Sequence, residues 1–89
     1  MVRMFVRHGV EDYEAWRKVY DEFEPERGPM GVTDHRVFQA VEDSNDVTVW
    51  HDFDSIEKAR ALALSDKLRN TMQRAGVRSA PDVWLVTQS

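Results

Sequence analysis

VRMFVRH, residues Val2 to His8, decides the architecture of this chain. Val2, Met4 and Val6 alternate with Arg3, Phe5 and Arg7, so aliphatic and aromatic groups point to both sides of one extended strand. Runs with the same two-sided character occur at Val32 to Val41, Val47 to Phe53 and Val83 to Thr87. A chain of 89 residues supplies enough helix to cover only one face of the sheet these strands would form. A second copy of the chain, in a homodimer, is therefore expected to cover the other.

The length fits one domain, residues 1-89. A domain of this size buries only about 60 to 65% of its unfolded surface and gains from added apolar contact. The absence of cysteine excludes disulfides and thiolate zinc sites and fits a reducing, cytoplasmic setting. Arg3, Arg7 and His8 interrupt the first residues, and no later stretch has the apolar length of a membrane span, so neither export nor membrane insertion is expected. A formal charge of −4 opposes affinity for phosphate backbones, so no nucleic acid partner is expected.

After the first strand, Asp12 is placed to cap a helix on which Tyr13, Trp16, Tyr20 and Phe23 share one stripe with Val19 beside it. Asp21, Glu22, Glu24, Glu26 and Arg27 read as a solvated, charge-rich face. Pro25, Gly28, Pro29 and Gly31 then break the helical pattern. Glu42 to Asp46 is a turn-rich cluster between two strands of a hairpin. Asp54 with Glu57 resembles a capping box for a second helical region, in which Ser65 and Asp66 offer a fresh start and Gly76 a stop. Strand, helix, strand, strand, helix, strand is the order of an α+β ferredoxin-like fold, with a four-stranded antiparallel sheet and both helices on one face. Phe5, Trp50 and either Trp84 or Val83 would lie on the uncovered face, and pairing two such faces would close a two-subunit barrel.

The segments RHGVEDYEAWRKVYD, GVTDHRVF and VTVWHDFDSIEKARAL resemble small proteins of the dimeric α+β barrel superfamily, near the antibiotic biosynthesis monooxygenase-like group, some of which carry a cyclase label. The resemblance implies a fold more than a chemistry, because the superfamily spans cofactor-independent oxygenases, haem-degrading oxygenases, lactone isomerases, polyketide cyclases and proteins without known activity. Its haem-degrading members use an asparagine in the first strand region. Here that strand offers His8 at its end, which argues against haem degradation.

Candidate chemistry rests on three histidines. His8 is in phase with Met4 and Val6, His35 with Val37 and Val41, and His51 with Val49 and Phe53. A three-residue loop of Ser44 to Asp46, placing Asp43 opposite Val47, would align His35, Val37, Val41, Val49, His51 and Phe53 on one face, whereas a two-residue loop would split them. Each imidazole could be a separate, partly buried group bonded to a carboxylate or carbonyl. The sharper reading makes one of them, His35 or His51 ahead of His8, a general base near neutral pH. A metal site from all three is disfavoured, since no HxH or HxxxH spacing is present.

The aromatic stripe admits two readings as well. Phe23 fits plain core, whereas the polar tips of Tyr13, Trp16 and Tyr20 suit the rim of a cleft for a flat aromatic ligand. Arg36 is a candidate for holding an anionic group, with a cross-strand pair to Asp52 or Asp54 as its alternative. Three functions stay open. One is an enzyme without bound cofactor, a monooxygenase or a cyclase or isomerase, that abstracts a proton from an aromatic or polyketide-like metabolite. The others are a dimer that binds a hydrophobic ligand without changing it, and a purely structural barrel.

Overall fold

The computed structural model describes residues 1–89. Four strands, β1 (Val2–Gly9), β2 (Val32–Ala40), β3 (Asp43–Phe53) and β4 (Asp82–Thr87), form one antiparallel sheet in the order β2-β3-β1-β4. The connections carry α1 (Tyr13–Glu22) and the short α2 (Glu24–Arg27) after β1, then α3 (Ile56–Ala63) and α4 (Asp66–Arg74) after β3. The expected α+β ferredoxin-like order is the observed one.

Local chemistry sets the helix ends. Asp12 is extended and its carboxylate accepts from the Ala15 amide at 3.0 Å, the expected cap of α1. Pro25 is tolerated in the first turn of α2, where a missing amide costs no hydrogen bond. The cap of α3 is Ser55 rather than Asp54: its hydroxyl accepts from the Lys58 amide and donates to Glu57, while Asp54 pairs with Lys58 at 3.6 Å. Ser65 caps α4, and Gly76, with φ of +81°, takes the left-handed conformation that ends the helix before it.

The hairpin differs from expectation in a way that preserves its consequence. The turn is the two residues Val41 and Glu42, with Ala40 opposite Asp43, but the ladder resumes at Gln39 opposite Val47. Three residues, Ser44 to Asp46, are thus taken up in β3. Their odd number restores the phase that a two-residue turn would have lost, and His35 faces His51 while Val37 faces Val49. Asn45 and Asp46 are strand rather than loop because the neighbouring chain holds them. Asn45 accepts the amides of Val10 at its carbonyl and Tyr13 at its side chain, and Asp46 takes both ends of the Arg7 guanidinium. Val41, expected on the inner face, is at the turn and fully exposed.

The helix-side face carries two buried clusters. Met4, Val6, Phe53, Ala59 and Leu62 form one, and Val10, Trp16, Tyr20, Val47, Val49 and Ala75 the other. The opposite face shows Phe5 stacked on Trp84 at 5.2 Å and Arg3 lying 3.7 Å over Trp50. Trp84, not Val83, belongs there, since Val83 pairs with the inward Val6. Asp52 also lies on this face, where it binds Arg3 through two hydrogen bonds of 2.7 and 3.0 Å. With Asp52 so engaged, Arg36 pairs with Asp34 at 2.8 Å, rather than with Asp52 or Asp54.

Candidate functional site

Where the two core clusters meet, a cavity of about 50 Å³ opens between helices and sheet. At about 10–15 Å³ per water on this measure it accommodates roughly three to five waters, well short of the roughly 150 Å³ of a cavity that binds benzene, so an aromatic ring enters only where a wall moves outward. Val6, His8, Val49 and His51 line it from the sheet, Trp16, Tyr20 and Arg27 from the first helical region, and Leu68, Thr71 and Met72 from α4. No residue of α4 is fully buried, so that wall is the least anchored.

The period of α1 builds one side of the site. Trp16 stacks on Tyr20 at 4.9 Å, with the His8 ring 5.7 Å from Trp16. Tyr13 stacks on the outer side of Trp16 at 5.9 Å and does not line the cavity. Beyond Tyr20 lies the polar centre. Its hydroxyl is 3.1 Å from His35 Nδ1 and 3.1 Å from His51 Nε2, so it donates to one imidazole and accepts from the other. His35 is half-buried on the edge strand, and His51 is buried. His8 stands at the other end of the aromatic row, so the three imidazoles do not converge, and no group of three or more potential metal ligands is present.

Burial controls the protonation of these groups. Loss of hydration lowers the His51 pKa from 6.5 to about 4, with the positive charge of Arg27 and the nearby His35 adding to the effect. His35 is lowered for the same first reason, then by Arg27, and His8 is lowered by burial. Burial raises Tyr20 to about 12, against the opposing pull of Arg27 and Arg17. At neutral pH the centre is therefore a neutral tyrosine between two neutral imidazoles. The sequence had placed an imidazole close to 6.5, and its environment moves it well below.

Arg27 is the residue that the sequence concealed. It lies in the run read as a solvated face, yet it is 4% exposed. Pro25 and the short α2 fold the chain back, so that Arg27 Nη1 donates to the Tyr20 carbonyl at 2.7 Å and the guanidinium lies 4.2 Å over the Tyr20 ring. Arg36, the expected anion holder, is exposed on the opposite sheet face near Trp50. A period-2 reading puts Arg36 out of phase with His35; nothing in the local pattern of α2 signals the inward turn of Arg27.

No family model matches the chain, and no curated protein was found to match it. Solved structures do. A Bordetella bronchiseptica protein assigned as an antibiotic biosynthesis monooxygenase superposes with a TM-score of 0.83 at 10% identity, over 99% of this chain and 96% of that one. One from Nitrosomonas europaea with the same assignment gives 0.76 at 12% identity, over 99% and 98%. SnoaB of Streptomyces nogalater, a cofactor-independent oxygenase, gives 0.78 at 13% identity, over 99% and 92%. The chain has the antibiotic biosynthesis monooxygenase-like fold. At such identities the likeness is one of architecture, which is the level at which the resemblance in the sequence had been strongest.

Proposed function

We propose that this protein is a homodimer that takes a small aromatic metabolite into the cavity and removes a proton from it, with His51 as the base and no bound cofactor. Supporting this is one coincidence. The four buried side-chain polar atoms without a protein partner are His8 Nδ1 and Nε2, Arg27 Nε and His51 Nδ1, and all three residues line the same cavity. Leaving such atoms unpaired costs about 1–3 kcal/mol each, so a site that gathers them fits a polar ligand better than a packed core.

In the tautomer with His51 protonated at Nε2, Nδ1 holds a free lone pair. A proton accepted at Nδ1 allows Nε2 to release its own to the Tyr20 hydroxyl, which passes its proton to His35 Nδ1 at the sheet edge. The carbanion or phenolate left behind can rearrange, or react with dioxygen. In the second case a ring CH2 becomes a carbonyl with one oxygen atom, and the other leaves as water with the two hydrogens. Trp16 and Tyr20 orient the ring and exclude solvent. Descriptions such as that of SnoaB favour the oxygenation branch by analogy of fold.

The low basicity of His51 favours a second reading, a protein that binds a ligand without changing it. Deuterium exchange at the acidic carbons of 2-indanone, followed by NMR in D2O, separates the two. Acceleration by the protein, lost in the His35→Gln/His51→Gln double variant with the fold intact, is the expected result. Undiminished exchange in the variant would sink the assignment of the base, and saturable binding without acceleration by the unaltered protein would favour the binding protein.

A further inference from the structure

Arg27 poses an electrostatic problem that the rest of the chain leaves unsolved. An imidazole escapes an apolar site by giving up its proton, as His51 does, but a guanidinium keeps its charge. Arg27 is 4% exposed and makes one hydrogen bond to protein, to a neutral carbonyl. No carboxylate lies within ion-pairing distance of it. Its acidic neighbour Glu26 is paired with Lys67, and Arg17 takes Asp21. The face of Tyr20 offers partial compensation through the ring quadrupole. That is small beside the cost of removing an ion from water.

The buried Nε atom is without a partner, and the residue lines the cavity together with His8 and His51, both neutral at pH 7. The cavity thus combines one fixed positive charge, two uncharged imidazoles, and walls otherwise dominated by Val6, Trp16, Val49 and Leu62. Such a site is matched by a molecule with an apolar ring and one oxyanion. We infer that Arg27 is the specificity residue of the cavity and selects an aromatic ligand bearing a carboxylate or another ring-attached oxyanion. This deepens the ligand-binding part of the proposed function and rests on it. It is independent of whether His51 acts as a base.

The pair benzoate and benzamide tests it, because the two share size and shape and differ in charge. Both are titrated at pH 7 against the intact protein, with NMR chemical shifts of Trp16 and His51 as the readout. The expected result is that benzoate binds at least tenfold more tightly than benzamide, and that Arg27→Met removes the preference while Arg27→Lys keeps part of it. Equal affinity for the two ligands in the unaltered protein, a comparison that needs no variant to fold, would overturn the inference and leave the cavity as a binding site. A preference retained by folded Arg27→Met would overturn it as well. Failure of both ligands to shift the cavity resonances would overturn both the inference and the ligand-binding function beneath it.

Discussion

His51 couples the candidate site to stability. The folded imidazole, with a pKa of about 4, binds its proton less readily than an unfolded one near 6.5. As pH falls below 6.5 the unfolded chain takes up the proton first, so the stability present at neutral pH declines until the folded group also titrates. The full change is on the order of 3 kcal/mol from His51, with about 2 kcal/mol of it between pH 6.5 and 5. His8 and His35 are shifted in the same direction and add to the slope. Asp34, Asp46 and Glu57, whose pKa values are lowered by their hydrogen bonds, weaken the fold only at more acidic pH. Urea unfolding at pH 7 and pH 5 measures the effect, and His51→Gln should flatten it; equal stability at the two pH values would show that His51 is not held neutral by burial. At this scale the sequence was half legible. Strand phase placed His8 and His51 at the cavity and His35 beside Tyr20, because alternation is a backbone property. The depressed basicity of the histidines and the inward turn of Arg27 come from tertiary packing, for which neighbouring residues carry no signal.

Among the elements, the β2–β3 hairpin decides whether the site exists. Its two-residue turn alone would put His35 on the face opposite His51, and the three residues taken up in β3 bring it back. Deleting Ser44 leaves two such residues and reverses the phase. Arg36 and Phe38 would then point toward the helices and His35 and Val37 away from them. Asp34 turns inward together with Arg36, and burial of this ion pair is unfavourable enough that the hairpin should separate from the sheet instead. The deletion is expected to cost several kcal/mol and to break the Tyr20–His35 contact, whereas Ser44→Gly, of equal length, should cost less than about 1 kcal/mol. Thermal unfolding of the two variants checks this, and a deletion variant as stable as the parent would show that the phase is set elsewhere. The sequence revealed that the two strands share a phase but not how. Asp43 to Asp46 has the composition of a loop, and it becomes strand through Arg7, Val10 and Tyr13, which are distant in sequence.

For the whole molecule, the uncovered sheet face is the dominant fact. Phe38, Trp84 and Val86 are 51, 43 and 40% exposed beside Phe5 and Trp50, while only 16 of 89 residues are buried. A monomer this small with so much apolar surface on one side is poorly stabilised, and a second copy is the simplest cover. The charges on that face do not oppose this. Arg3 is already paired with Asp52 and laid flat on Trp50, and Arg7 is paired with Asp46, so a partner would meet neutralised pairs. Sedimentation at tens of micromolar should give about twice the 10.4 kDa chain mass, and Phe38→Glu/Trp84→Glu should return it to a monomer. A parent protein that stays monomeric would overturn the homodimer. The cavity, in contrast, lies on the helix side and is lined by residues of one chain. If that chain is sufficient, the monomeric variant binds benzoate as the dimer does, provided it stays folded. Weakened binding with the His51 and Trp16 resonances otherwise unchanged would mean instead that assembly shapes the cavity, most directly by steadying β4 and β1 beneath Val6 and His8.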